Sequence, residues 1–225
     1  MKRFLLLVLA LCFAAPAFAA VGIGINYVGD YWKADELVNK QVQLDDGTTS
    51  TLVRNSLANP SGMGLFVVAG MGKYEFQADL EYVSKKYAVQ LTRQTSGVGT
   101  VDDIDVQSSR IGLSGTLKYK MFSVPGVALF AGAGAGIQIQ SPVVGPDLIK
   151  DMVKSASEEL TVSASDLMKN SNKIGFHVLV QARVKPPAVP FGLQATLRGL
   201  ILPSSTFEKP SFVPNLMVGV GFFPF

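Results

Sequence analysis

Hydrophobic residues recur at every second position along most of this chain, in stretches of about ten residues, the period of a strand with two unlike faces. Val21, Ile23, Ile25 and Tyr27 alternate with Gly22, Gly24, Asn26 and Val28. Met63, Leu65, Val67 and Ala69 predict a second strand over about 62–71. Tyr74, Phe76, Ala78, Leu80 and Tyr82 alternate with Glu75, Gln77, Asp79 and Glu81 in the cleanest case. The same pattern runs through Ile111–Tyr119, Val127–Ile139, Ile174–Val184, Phe191–Leu197 and Leu216–Phe222. Eight strands result. Helices are a poor alternative: beyond the N-terminus no run approaches the ~20 apolar residues that cross a bilayer as a helix. The most apolar stretch carries Gly132, Gly134 and Gly136, and each glycine costs a helix about 1 kcal/mol.

The predicted connections alternate in length. Long ones run from Tyr31 to Ser61 and from Ser141 to Asn172, and medium ones over about Arg93 to Ser108 and Pro203 to Val213. Short ones fall near Met71-Gly72-Lys73, at Ser123–Gly126 and at Pro186–Pro190. An even strand count with long-short alternation is the pattern of an outer-membrane barrel, with short periplasmic turns and long external loops. Within the connection from Ser141 to Asn172, the third external one, Ile149, Val153, Ala156 and Leu160 recur at helical spacing, with Asp166-Leu167-Met168 as a second piece, so a short helical segment is expected there. Asp45-Asp46-Gly47 reads as a hairpin turn that could raise the strand count to ten. It and the cluster Asp102-Asp103-Ile104-Asp105 are read as turn chemistry, since neither follows a calcium-loop pattern. With the last strand leading on into the C-terminus, only Pro224 falls inside a proposed strand.

The first nineteen residues read as an address. Lys2 and Arg3 precede an apolar run from Phe4 to Ala15, Pro16 breaks it, and Ala17-Phe18-Ala19 offers small residues at a cleavage site. A lipidated Cys12 is the rival, disfavoured because Leu11 is large where a small residue is wanted. Removing residues 1–19 leaves one domain over 20–225. It takes the net charge from +3 to about +1 and removes the only cysteine. A disulfide, a thiol nucleophile and a cysteine metal site are thereby excluded. With charged residues at 16% of the chain, disorder and nucleic-acid binding are excluded as well.

Alternation alone does not say which face is inside. A soluble lipocalin-like barrel would bury its apolar face; a membrane barrel would turn that face to lipid. Three features favour the membrane: an apolar face nearly free of charge, aromatics near strand ends (Tyr27, Tyr31, Trp32, Tyr74, Tyr82, Tyr119, Phe122, Phe191), and a final strand ending at Phe225. With these features the chain resembles the small eight-stranded outer-membrane barrels of the OmpA, OmpX and OmpW type, a likeness of architecture without a family-specific motif. The resemblance implies an all-β, up-and-down antiparallel transmembrane barrel in the outer membrane of a diderm bacterium. It also implies that Phe225 is the signal read by the barrel-assembly machinery. One departure is visible: counting back by twos from Phe225 reaches Phe223 and Gly221, whereas the apolar series runs through Phe222 and Val220.

In that reading Glu75, Asp79, Glu81, Lys118, Lys120, Arg183, Arg198 and His177 face the lumen. Eight strands are just wide enough for their own side chains to fill. The expectation is a salt-bridged core, with Glu75 opposite Lys120, and a gated polar pore is the rival. Glycines on the lumen face make room for large neighbours, or else for a small apolar ligand. His177 is the only histidine, and the His-x-Ser pattern of the lipid A deacylase barrels is missing, since Val178 and Leu179 follow it. No catalytic residue, metal or cofactor is therefore expected. Lys33, Lys85, Lys86 and Lys173 fall near the outer rim, where lipopolysaccharide phosphates lie. The expected function is non-enzymatic, structural or surface-binding, with passage or binding of small hydrophobic molecules. The rivals are an outer-membrane lipid-modifying enzyme and a soluble periplasmic barrel with an apolar ligand.

Overall fold

A computed structural model describes residues 20–43, 49–95, 98–141, 143–144, 172–202 and 212–224. The address at 1–19, the Asp45-Asp46-Gly47 turn, the expected helical segment of the third connection and Phe225 lie outside the described residues. The described chain is all β: β1 (Ala20–Asp30), β2 (Lys33–Ala34), β3 (Leu37–Gln43), β4 (Thr49–Arg54), β5 (Leu57–Ala58), β6 (Ser61–Met71), β7 (Tyr74–Thr95), β8 (Val98–Val124), β9 (Val127–Gln140), β10 (Asn172–Val184), β11 (Phe191–Ile201) and β12 (Phe212–Phe222).

Eight of these, β1 and β6 to β12, pair antiparallel in a closed circuit, because β1 bonds β6 on one edge and β12 on the other. Closure removes every free edge from the wall. Two tight turns at one end depend on glycine. Gly72 has φ +63° in the two-residue link from Met71 to Tyr74, and Gly126 has φ +86° after Pro125 in the link from Val124 to Val127. Left-handed backbone is accessible to glycine without a Cβ penalty. The end carrying these links is the turn end, and the opposite one the loop end.

The two faces are now distinguishable. Leu197 is 66% exposed and Ile174 64%, whereas Gln77, Thr116 and Lys118 are fully buried. Apolar side chains cover the outside and polar ones fill the inside. That is the inverse of a soluble barrel, and it fits a wall whose solvent is lipid. No described helix is long and apolar enough to cross a membrane; this chain crosses with strands. Tyr27, Tyr31, Tyr74, Tyr82, Tyr119, Phe122 and Phe191 are exposed at strand ends as expected. Trp32 is not: it is buried at 6% exposure.

Trp32 belongs to a second core that periodicity did not reveal. The Arg93–Ser108 stretch, expected as a loop, is a continuation of β7 and β8, paired through Thr95↔Val98. The β3–β4 hairpin adds to the same sheet through β4–β7 pairing. The sheet thus has ten strands while the barrel has eight. Above the wall, polar residues such as Lys86 and Gln90 appear on the outer side because water replaces lipid, and the alternation that marks a membrane strand fades. Inside this extension Trp32, Leu52, Leu57, Tyr87, Val89, Val106, Leu200 and Leu202 pack into an apolar cap over the loop end. Arg54 is tied down within it, donating to the backbone oxygens of Val144 at 2.7 Å and Asp35 at 2.6 Å. Burial pushes the Tyr87 phenol above its usual value, and its oxygen accepts the Val144 N–H at 3.0 Å.

Two proline assignments change. Pro224 lies beyond β12, and Pro214 lies inside it. The Pro214 carbonyl accepts Tyr31 N–H at 2.8 Å on the β1 side, where β1 has already ended, so its missing N–H removes no bond from the β11 ladder. The C-terminal phase conflict also resolves. Phe222 stays outside against Phe191 at 5.6 Å, while Phe223 turns into the lumen and stacks on Phe66 at 5.9 Å.

If lipid is the solvent of the outer face, Leu80→Arg will destabilise the folded barrel by about 2–4 kcal/mol. Urea unfolding in phospholipid vesicles measures this, and a change below 0.5 kcal/mol, roughly what a water-facing site would show, would contradict the assignment.

Candidate functional site

The alternating pattern that puts leucine and valine into lipid puts their neighbours into the lumen, where charge is acceptable only if compensated. Glu75 near the turn end is held by Arg183 through two parallel hydrogen bonds of 2.7 Å, and it also forms an ion pair with Lys118. The Lys118 ammonium spends its other donors on the Gln77 and Gln181 side-chain oxygens, each at 2.6 Å. All three of its donors are then satisfied. Amides carry the network around the wall. Gln77 donates to Asp79 at 2.6 Å, Gln181 to Gln194 at 2.8 Å, and Gln194 to Asn26 at 3.2 Å.

A second layer lies nearer the loop end. Arg198 grips Glu81 through both terminal nitrogens, at 2.5 and 2.6 Å. Arg110 spans the lumen between Glu81 at 3.1 Å and Asp30 at 2.7 and 2.8 Å, and also donates to Gln138 at 2.8 Å. Asn215 donates to the same aspartate at 2.6 Å. Planar guanidinium forks matched to carboxylates are the geometry that best offsets desolvation. Among the described residues Asp30, Glu75, Asp79 and Glu81 face Arg110, Lys118, Arg183 and Arg198, so charge within the barrel balances.

Absent side chains are part of the construction. A Cβ on Gly134 would fall 2.6 Å from the His177 ring, and one on Gly132 would fall 2.9 Å from Lys118. These glycines make room for large neighbours, as the filled-core expectation required. His177 is buried, with Nε2 2.8 Å from the Thr116 hydroxyl.

Seven of the eight expected lumen residues sit together in this interior. The exception is Lys120. Counting placed it opposite Glu75, but the β7–β8 ladder, which runs in one register from Thr95↔Val98, sets Lys118 opposite Glu75. The Lys120 N–H instead bonds the Lys73 carbonyl at 2.8 Å, and its side chain lies half-buried at the turn-end mouth. Asp30 and Arg110 escaped sequence reading because the strands were drawn one or two residues short. Both share the parity of known lumen positions: Asp30 with Asn26, Arg110 with Gly112. Lys85 and Lys86 are exposed on β7 above the wall, and Lys33 is exposed beside Asp35 at 3.2 Å. Lys173 takes a register position opposite Gln138.

No protein-family model matches the chain, and no curated protein does. Among solved structures it is similar to Neisserial surface protein A at 12% identity, covering 90% of this chain and 96% of that one, with a TM-score of 0.49. It is similar to Ail, the attachment invasion locus protein of Yersinia pestis, at 13% identity over 91% and 97%, with a TM-score of 0.43. It is similar to the outer membrane enzyme PagL at 10% identity over 88% and 98%, with a TM-score of 0.35. The fold itself rests on the closed ladders. The chain has the architecture of the small eight-stranded outer-membrane barrels.

Glu81 is the anion both arginines of the upper layer share. Glu81→Ala leaves Arg198 buried without its carboxylate and is expected to cost about 3–5 kcal/mol. Replacing both partners together, Glu81→Met with Arg198→Met, is expected to recover most of that loss. Urea midpoints of the three proteins in vesicles decide it; a single variant as stable as the parent would show that the layer is dispensable.

Proposed function

We propose that this chain is an integral outer-membrane barrel with a non-enzymatic role, a charge-filled anchor that presents a β-sheet surface beyond the membrane for binding. The observation that carries the reading is the sheet β3-β4-β7-β8, which continues past the barrel at the loop end. Over residues 98–108 the described β8 ladder pairs with β7 alone, since Ser141 bonds Ser109 and pairing with β9 starts at Arg110↔Gln140. A strand with one unpaired edge is a template on which an extended partner segment can add.

The interior supports the non-enzymatic part. His177 shares its hydrogen bond with a threonine inside a filled lumen, and Val178 and Leu179 stand where a deacylase-like serine would be sought. Two ion-paired layers and an apolar cap lie across the route through the barrel, so transit of a small hydrophobic molecule along the lumen is not part of this proposal. Phe225 is proposed as the residue presented to the assembly machinery.

A peptide epitope inserted between Gln94 and Val98 will be stained by antibody on intact cells, and the protein will fractionate with outer membranes and shift in mobility when heated on a gel. Recovery from the soluble periplasm without a heat shift would refute the reading.

Lys85 and Lys86 stand just beyond the wall, and Lys33 follows β1 at the same end, at the height proposed for lipopolysaccharide phosphates; Lys173 completes the set proposed for that contact. Replacing Lys85 and Lys86 together by glutamine is expected to weaken lipopolysaccharide binding several-fold, read as co-purifying lipid per barrel. Equal amounts on both proteins would remove these residues from the contact.

A further inference from the structure

The cation left over when the lumen charges are matched is Lys120, and its place is a second feature of the turn end. Lys120 lies across from Phe130 as the last pair of the regular β8–β9 register, and a β-bulge between Lys120 and Phe122 follows it. Three cations gather around the Phe130 ring: Arg183 at 4.9 Å, Lys118 at 5.2 Å and Lys120 at 6.0 Å from its centroid. The carboxylate among them is Glu75, already shared by Lys118 and Arg183. Among the described residues no carboxylate forms an ion pair with Lys120.

Beside this cluster is a cavity of about 280 Å³, open at the mouth, whose lining includes Lys120, Arg183, Lys185, Glu75, Ser123 and Phe130. Arg183 is 95% buried, since 5% of it is exposed, and it is held rigidly. Phe130 covers one side at 4.9 Å and Phe223 lies at 4.1 Å, while its two terminal nitrogens are committed to Glu75. Its Nε has no hydrogen-bond partner. Arg198 Nε, in the upper layer, is in the same state, but only the Arg183 side chain lines this hollow, where positive side chains outnumber the one carboxylate, Glu75. A fixed guanidinium, an ammonium with no carboxylate paired to it among the described residues and a serine hydroxyl match the needs of an oxyanion.

We propose that the turn-end mouth is a binding site for a small oxyanion, a phosphate or carboxylate group, held by Lys120 and Arg183 with Ser123 at the rim. The site is separate from the loop-end surface of the functional reading and does not depend on it. Its orientation toward the turn end gives it the compartment opposite to that surface.

The test uses the protein folded in maltoside micelles, free of phosphate-bearing detergent, with the arginine Nε–H resonances observed during titration. Inorganic phosphate and butyrate are titrated separately at constant ionic strength. Saturable movement of the Arg183 resonance is expected with one or both, with half-saturation near or below the millimolar range. Saturation by phosphate alone identifies a phosphate site, and by butyrate alone a carboxylate site. Lys120→Gln is expected to weaken binding at least tenfold. Ser123→Asp changes an exposed side chain and is also expected to weaken binding about tenfold. Movement that never saturates, or matches that in added sodium chloride, overturns the proposal. So does unchanged affinity in a folded Lys120→Gln or Ser123→Asp protein.

Discussion

The structure depends on one constraint: within a wall of eight strands there is no space for bulk water, so lumen charge must be met by the polar and charged groups of the wall itself. Glu75, Glu81 and Asp30 are each met by an arginine from across the barrel, and Arg110 reaches Glu81 from the adjoining β8 as well. Arg183 of β10 reaches Glu75 of β7, and Arg110 of β8 reaches Asp30 of β1. These links tie together strands that share no ladder. A buried pair of this kind contributes little net stability over an apolar substitute. Its effect is on specificity, because any slip of register would leave guanidiniums and carboxylates unmatched.

The same wall separates two solvents and two kinds of core. Facing lipid, the hydrophobic effect gives no reward for burying leucine, so the apolar side chains go outside and hydrogen bonding organises the interior. Beyond the loop end, water returns. There Trp32, Leu52, Tyr87 and Leu200 form an ordinary apolar core, roofing the polar one. The glycines belong to the first regime. Gly132 and Gly134 lie at lumen positions where any side chain would collide with Lys118 or His177.

All eight barrel strands were legible from the chain, because lipid on one side and packed polar groups on the other impose a strict period of two. Legibility failed where that contrast ends. The extended β7–β8 hairpin is solvated outside and apolar inside over only a few residues, and Lys85, Lys86 and the acidic residues at 102–105 resemble a loop. Of the lumen site, the residue types and most positions were readable from parity. Asp30 and Arg110 were missed because they occupy strand ends, where alternation is too short to count. The Lys120 assignment failed for a different reason: partners across a hairpin depend on where the turn begins, and a shift of two residues exchanges one lysine for another.

Local periodicity, which each strand carries alone, was enough to mark the eight barrel strands, their two unlike faces and the charges of both signs on one of them. Which carboxylate met which arginine, and where an unmatched cation was left, were settled by the closed barrel. Those outcomes depend on closure and stagger, which set the distance between residues as far apart in the chain as Asp30 and Asn215, 185 positions away.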